Sequence, residues 1–208
     1  MTLRIGTRAS PLALVQTRLF LGLVSRACPV LRVLKAFEEH PMSTDHEIDA
    51  VATGSYYAPH DVLGHHAGTT ASGSRITTIR VRRPLAETVT ALLDNGDRVS
   101  LSHNRSGIWE GQHAGAPRPY VVETSYTDSA PWSAEDPYRF SPTLGELDLH
   151  LIREGRHEEL WRALGTHVRV HEGVEGTAFA VWSPNAQSVR VIGDFNGWDG
   201  QSHPMRSM

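Results

Sequence analysis

Asn95-Gly96 is the feature that most narrows what this chain can fold into. The pair lies in Asp94-Asn95-Gly96-Asp97, between Thr88-Val89-Thr90-Ala91-Leu92-Leu93 and Arg98-Val99-Ser100-Leu101-Ser102. Both residues tolerate positive φ, as a tight hairpin turn requires, so the stretch predicts two antiparallel strands side by side. Arg75-Ile76-Thr77-Thr78-Ile79-Arg80-Val81-Arg82 is another run rich in β-branched residues, closed off near Pro84. Ile108-Trp109-Glu110-Gly111 and Tyr120 to Tyr126 are further candidates. Short strands at roughly ten-residue spacing predict an antiparallel sandwich, not a parallel α/β sheet. The expected fold class is mainly β.

Helices are few in this reading. Ser43 or Thr44 can cap a short helix with Glu47 as a capping-box partner, carrying Ile48, Val51 and Ala52 on one side and ending at Gly54. Asp136-Pro137 opens a linker that runs through Pro142. Gly155 to Leu164 reads as a connecting helix with Leu160, Trp161 and Leu164 on one face and Gly165 as its stop. Strands resume at Thr177 to Trp182, turn at Ser183-Pro184-Asn185-Ala186, and continue through Ser188 to Ile192. Two strands and the start of a third fall short of the roughly seven that close a sandwich. The second sandwich is expected to be truncated, with Gly193 to Trp198 as its last turn.

Composition excludes several functions. A net charge of −3 over 208 residues argues against a nucleic-acid partner. No run of apolar residues is long enough for a membrane helix. Cys28 is the only cysteine, so neither an intrachain disulfide nor a cysteine zinc site is expected. There are 12 histidines, and His60, His65 and His66 cluster, but no H-E-x-x-H spacing occurs and no metal is expected. Gly54, Gly64 and Gly68 match neither a Walker A loop nor a dinucleotide fingerprint, and no G-x-S-x-G elbow is present. No catalytic residue and no cofactor site is assigned. The acidic residues lie in turns (Asp94, Asp97, Asp194, Asp199) or on a helix face (Glu154, Glu158, Glu159), as solvated carboxylates do. Trp109, Trp182 and Trp198 have two open readings, since an aromatic face stacks on a sugar ring as readily as it fills a core.

Phe179-Ala180-Val181-Trp182-Ser183-Pro184-Asn185-Ala186, then Val189 to Ile192 and Gly193-Asp194-Phe195-Asn196-Gly197-Trp198, resembles the carbohydrate-binding module of glycogen branching enzymes, members of the α-amylase superfamily. Asp136-Pro137-Tyr138-Arg139-Phe140-Ser141-Pro142-Thr143-Leu144-Gly145-Glu146-Leu147-Asp148-Leu149-His150 looks like the junction between the two N-terminal domains of the bacterial enzymes. Pro59-His60-Asp61-Val62-Leu63-Gly64-His65-His66 is similar to the start of their extra N-terminal sandwich. The resemblance implies tandem immunoglobulin-like, early-set sandwiches: one over residues 43–142, a linker with helix over 143–170, and a truncated carbohydrate-binding sandwich over 171–208. In the family a (β/α)-barrel follows, whose three carboxylates cut an α-1,4-glucan and transfer the segment to a 6-hydroxyl with retention. No position of this sequence corresponds to those carboxylates, so branching activity is not expected of these residues alone. The resemblance implies α-1,4-glucan or glycogen as partner, a cytoplasmic setting, and Trp182, Asn196 and Trp198 as glucan-binding candidates.

Residues 1–42 differ from the rest. Arg4, Arg8, Arg18, Arg26, Arg32 and Lys35 face no acidic residue before Glu38, a composition shared by transit peptides and by helical or disordered extensions. Helix-compatible residues (Leu12, Val15, Leu19, Leu23) follow Pro11. Arg4-Ile5-Gly6-Thr7-Arg8-Ala9-Ser10-Pro11-Leu12-Ala13-Leu14-Val15-Gln16 resembles the opening of porphobilinogen deaminase, whose matching arginine and serine (here Arg8 and Ser10) hold an acidic substrate or cofactor. The likeness then fails, which makes the segment a foreign-looking extension with Met42 as a plausible natural start.

Overall fold

The computed structural model describes residues 2–7 and 45–208. The expected caps Ser43 and Thr44, the helix-compatible Leu12 to Leu23, Arg8, Ser10, Cys28 and Met42 lie outside those residues. The architecture is mainly β, as the strand spacing predicts. Its elements are β1 (Thr2–Thr7), α1 (Asp45–Ala52), β2 (Gly64–Thr69), β3 (Arg75–Arg82), β4 (Thr88–Leu93), β5 (Arg98–Arg105), β6 (Ile108–Ala114), β7 (Tyr120–Ser125), β8 (Trp132–Glu135), α2 (Glu146–Arg153), α3 (Leu160–Ala163), β9 (Gly165–His171), β10 (Val174–Ala180) and β11 (Ser188–Gly193). Single 3-10 turns occupy Pro59–Asp61, Pro137–Arg139 and Asp194–Asn196.

Seven strands form one antiparallel sheet in the order β2-β3-β6-β5-β4-β7-β8. A register shift between His103 and Arg105 bends β5 where it pairs with β6, the position at which a bulge increases local twist. The sheet therefore curls until both of its halves share a core. Ile79, Val81 and Trp109 on one side pack with Val89, Ala91, Leu93, Tyr120 and Val122 on the other. Strict alternation on β4 (Val89, Ala91, Leu93 buried) and β7 (Tyr120, Val122, Thr124 buried) is the period-two signal that the sequence carries. Below this, α1 buries Ile48, Val51 and Ala52 against Val62, Leu63, Ile108 and Tyr138.

The Asn95-Gly96 hairpin forms, with a different turn from the expected one. Only Gly96 is left-handed, at φ 90°, and Leu93 N–H donates to Asp97 O at 2.9 Å. Three residues thus make the loop, and Gly96 supplies the left-handed step that matches the strand twist. Asn95 contributes through its side chain, which accepts from Asp97 N–H at 3.1 Å.

Three other expectations shift. The connecting helix splits: α2 occupies Glu146–Arg153, Gly155 stands just beyond it at φ 67°, and only Leu160–Ala163 follow as α3. Gly155 thus ends one helix where it was expected to begin another, because a left-handed glycine satisfies the last helical carbonyls. Asp148 sets the start of α2 by accepting from Gly145 N–H at 3.2 Å. Trp161 is 67% exposed and does not join a packed face. Last, β9 takes up the end of the stretch read as linker, runs on to His171 and pairs along its full length with β10, which ends at Ala180, before Val181 and Trp182.

Candidate carbohydrate-binding turn

The last stretch of chain is organised around β11. Val189, Val191 and their neighbours form the strand because β-branched residues suit a pleated, half-buried surface, and Val191 is buried. On one side of β11, Val191 N–H donates to His203 O at 3.0 Å and Met205 N–H donates to Val189 O at 2.9 Å. The chain therefore leaves β11, turns through residues 194–200, and returns antiparallel beside it.

Asn196 holds that turn. Its Oδ1 accepts from Gly193 N–H at 2.9 Å, and its Nδ2 donates to Val191 O at 3.0 Å and lies 2.9 Å from His203 Nδ1. All its polar atoms are engaged within the loop. His203 is also packed edge-on beneath the Phe195 ring, with centroids 5.4 Å apart. Burial, followed by the charge of Arg83, moves the His203 imidazole below its ordinary pKa despite nearby Asp199, which favours the neutral ring.

Trp198 stands at the tip. Its φ of 61° places a bulky side chain in the left-handed region, a conformation that costs on the order of 1 kcal/mol and persists only where surrounding bonds enforce it. Trp198 N–H donates to Gly193 O at 2.9 Å, and the indole Nε1–H donates to Asp194 Oδ1 at 2.8 Å. The ring stays 42% exposed, beside Phe195 at 60%. A flat aromatic side chain is thus fixed by its edge while the residue remains partly exposed. Trp182 is half-buried, and its indole N–H has no partner among the described residues. The third tryptophan resolves the other way: Trp109 is buried and donates to Arg83 O at 3.0 Å, so it is core.

A polar seam ties this turn to the curled sheet. Arg206 Nη2 donates to Phe140 O at 2.7 Å and Ser207 N–H to Tyr57 O at 3.0 Å. Arg190 donates to Gly200 O at 2.7 Å and also to Gly54 O. On the far side Ser141 N–H donates to Glu172 Oε1 at 2.9 Å, and the bonds from Ser141 are what hold the Glu172 carboxyl below its ordinary pKa. His60 packs edge-on against Tyr138 at 5.0 Å in the same seam. Burial first, then the Arg206 charge, drives its pKa down to about 3. Asp136 is fully buried beneath, accepting from Tyr120 Oη–H and from Tyr138 N–H at 3.2 Å.

His203, Phe195 and Arg190 are the residues of this site that sequence reasoning missed. The signal for His203 lies in the turn length, since a chain that reverses after Trp198 must lay Ser202 to Met205 against β11. Among the described residues no helix is long and apolar enough to cross a membrane, and no group of three His, Cys, Asp or Glu side chains is placed to hold a metal ion.

Comparison with known proteins agrees with the two regions. The N-terminal domain of the alpha-1,4-glucan branching enzyme GlgB matches residues 44–138, and carbohydrate-binding module 48, the isoamylase N-terminal domain, matches residues 163–208. The 1,4-alpha-glucan branching enzyme of Leifsonia xyli subsp. xyli is 55% identical over 169 residues, covering 81% of this chain and 23% of that protein. Those of Thermobifida fusca and Myxococcus xanthus are 52% and 43% identical and cover 78% and 79% of this chain, and 22% of each relative. The chain thus spans less than a quarter of the length of these curated relatives. A pullulanase from Bacillus acidopullulyticus aligns at 17% identity over 59% of this chain and 15% of its own, with a TM-score of 0.34, too low to bear on the fold. From residue 44 onward, the chain belongs to the N-terminal region of the 1,4-alpha-glucan branching enzyme family.

Proposed function

We propose that residues 171–208 bind α-1,4-glucan, glycogen in particular, with Trp198 as the principal stacking face and Trp182 as a second. The observation that carries this reading is Trp198 itself, held in a strained left-handed conformation by Gly193 O and Asp194 yet left 42% exposed. Strain of that kind collects where a side chain must be presented, and a pre-oriented aromatic face binds without first losing rotamer freedom. Asn196 takes a positioning role, since its amide is spent on Gly193, Val191 and His203.

Residues 43–142 are a supporting sandwich in this account, 143–170 a connector, and the seam at Tyr138, Phe140 and Arg206 fixes the binding turn to that support. The branching reaction, transfer of a cut α-1,4 segment to a 6-hydroxyl, belongs to a polypeptide in which these modules precede a catalytic barrel, working in the cytoplasm. The 208 residues by themselves bind glucan and form no α-1,6 linkages.

Native electrophoresis of the full chain through gels with and without glycogen tests the binding reading. The wild-type chain is expected to be retarded by glycogen. Trp198→Ala is expected to lose most of that retardation, about tenfold in affinity, the roughly 1–2 kcal/mol lost when an aromatic anchor is truncated. Equal retardation of the variant and the parent would remove Trp198 from the site.

A further inference from the structure

The binding turn accounts for one side of β11. On the other side lies β1, paired in parallel over its whole length, Thr2 opposite Ser188 through Thr7 opposite Gly193. In a strand, the backbone groups of successive residues point to alternate sides. Val189 O and Val191 N–H are taken by Met205 and His203. The groups of Ser188, Arg190 and Ile192 therefore face the opposite edge, the one that β1 covers. In parallel pairing with this register, Arg190 N–H meets the Leu3 carbonyl and Ile192 N–H the Ile5 carbonyl, while Ile5 N–H reaches Arg190 O.

We propose that the outer edge of β11 is a strand-acceptor site, and that its occupant is the chain's own Thr2–Thr7. The segment whose sequence is foreign to the rest of the chain thereby acquires a structural role. It covers one edge of β11 in a region whose β9 and β10, among the described residues, pair with each other, and an uncovered strand edge invites pairing with other chains. The added strand ends level with Gly193, the residue whose N–H and C=O anchor Asn196 and Trp198. Its backbone therefore braces the base of the turn. The pairing does not depend on glucan binding, and its test does not use glucan.

Residue-resolved amide exchange on the full chain decides the matter. In the wild-type chain the Arg190 and Ile192 amides are expected to be protected. Ile5→Pro removes one ladder donor and distorts the next carbonyl, so those two amides are expected to exchange at least about tenfold faster in that variant. The Val191 amide, held by His203 O, and the β4 amides are expected to keep their protection. Arg190 and Ile192 amides that are unprotected in the wild type, or unchanged by Ile5→Pro, would overturn the proposal. Protection lost on dilution of a chain that elutes as a dimer would assign the strand to a second copy and overturn the in-chain pairing. If Ile5→Pro fails to fold, the wild-type exchange pattern still decides.

Discussion

Two β regions of one chain are covered in opposite ways. On β4 and β7 every second side chain is buried in a shared core, whereas no residue of β9 or β10 is fully buried, and Val168 and Val170 are 76% and 68% exposed. The curled sheet closes over its own apolar residues. The second region is held from outside, by β1 along one edge of β11, by residues 203–205 along the other, and by the Arg190 and Arg206 bonds into the seam. Among the described residues the curled sheet buries its alternating side chains between its own halves, whereas β9 to β11 rest on backbone pairing and polar contacts.

Matched truncations in the two regions should differ most. Ile79→Ala empties a fully buried site between the halves of the curled sheet and is expected to cost about 2–4 kcal/mol. Val168→Ala, on the exposed face of β9, is expected to change stability by less than about 0.5 kcal/mol. Urea unfolding followed by circular dichroism compares them, and similar losses would break the contrast.

Acid should act next, through the seam. His60 is held near pKa 3 against an ordinary value of 6.5. The folded state therefore binds fewer protons than the unfolded one, and the stability that neutral His60 supports is complete above 6.5 and is lost progressively as pH falls toward 3. His65 and His203, both lowered first by burial, act in the same direction. Moving from about pH 7.5 to about pH 4.5 is expected to cost on the order of 2 kcal/mol from His60. In His60→Gln, denaturant midpoints at the two pH values should lie closer together; an unaltered pH slope would remove His60 as the cause.

Much of the curled sheet is legible in the residues. Asp94-Asn95-Gly96-Asp97, the β-branched run from Arg75 and the alternation at Tyr120-Val121-Val122 each specify a strand or turn by local rules, and each is found in place. The buried face of α1, Ile48, Val51 and Ala52, is legible for the same reason. The connector is less so. Leu160, Trp161 and Leu164 have helical spacing, but Gly155 ends α2 and only Leu160–Ala163 become helical again before β9. The Thr166-His167-Val168-Arg169-Val170-His171 alternation was the available signal for β9. In the candidate site, the positions of Trp182, Asn196 and Trp198 on the last turn were legible, but not the exclusive engagement of Asn196 by the loop, which depends on His203 returning beside β11. The pairing of β1 with β11 joins residues at opposite ends of the chain, and no local pattern encodes it.

The smallest effect sharpens the role of the turn. Asn196→Ala leaves Gly193 N–H without its acceptor and is expected to cost about 1–2 kcal/mol, confined to the second region. Limited proteolysis near Gly197 should accelerate while the unfolding midpoint of the curled sheet stays put. A fall in that midpoint instead would show that the two regions unfold as one.

The most direct test of the account places both regions in one spectrum, a titration of the full chain with maltoheptaose followed by its tryptophan indole N–H resonances. The prediction is that the Trp198 indole and the Gly197 amide shift in a saturable manner, while the Trp109 indole, locked to Arg83 O in the curled sheet, does not move. A Trp198 resonance that stays fixed at saturating sugar, or shifts centred on Trp109 and the β4–β7 pair, would contradict the assignment of glucan binding to the second region.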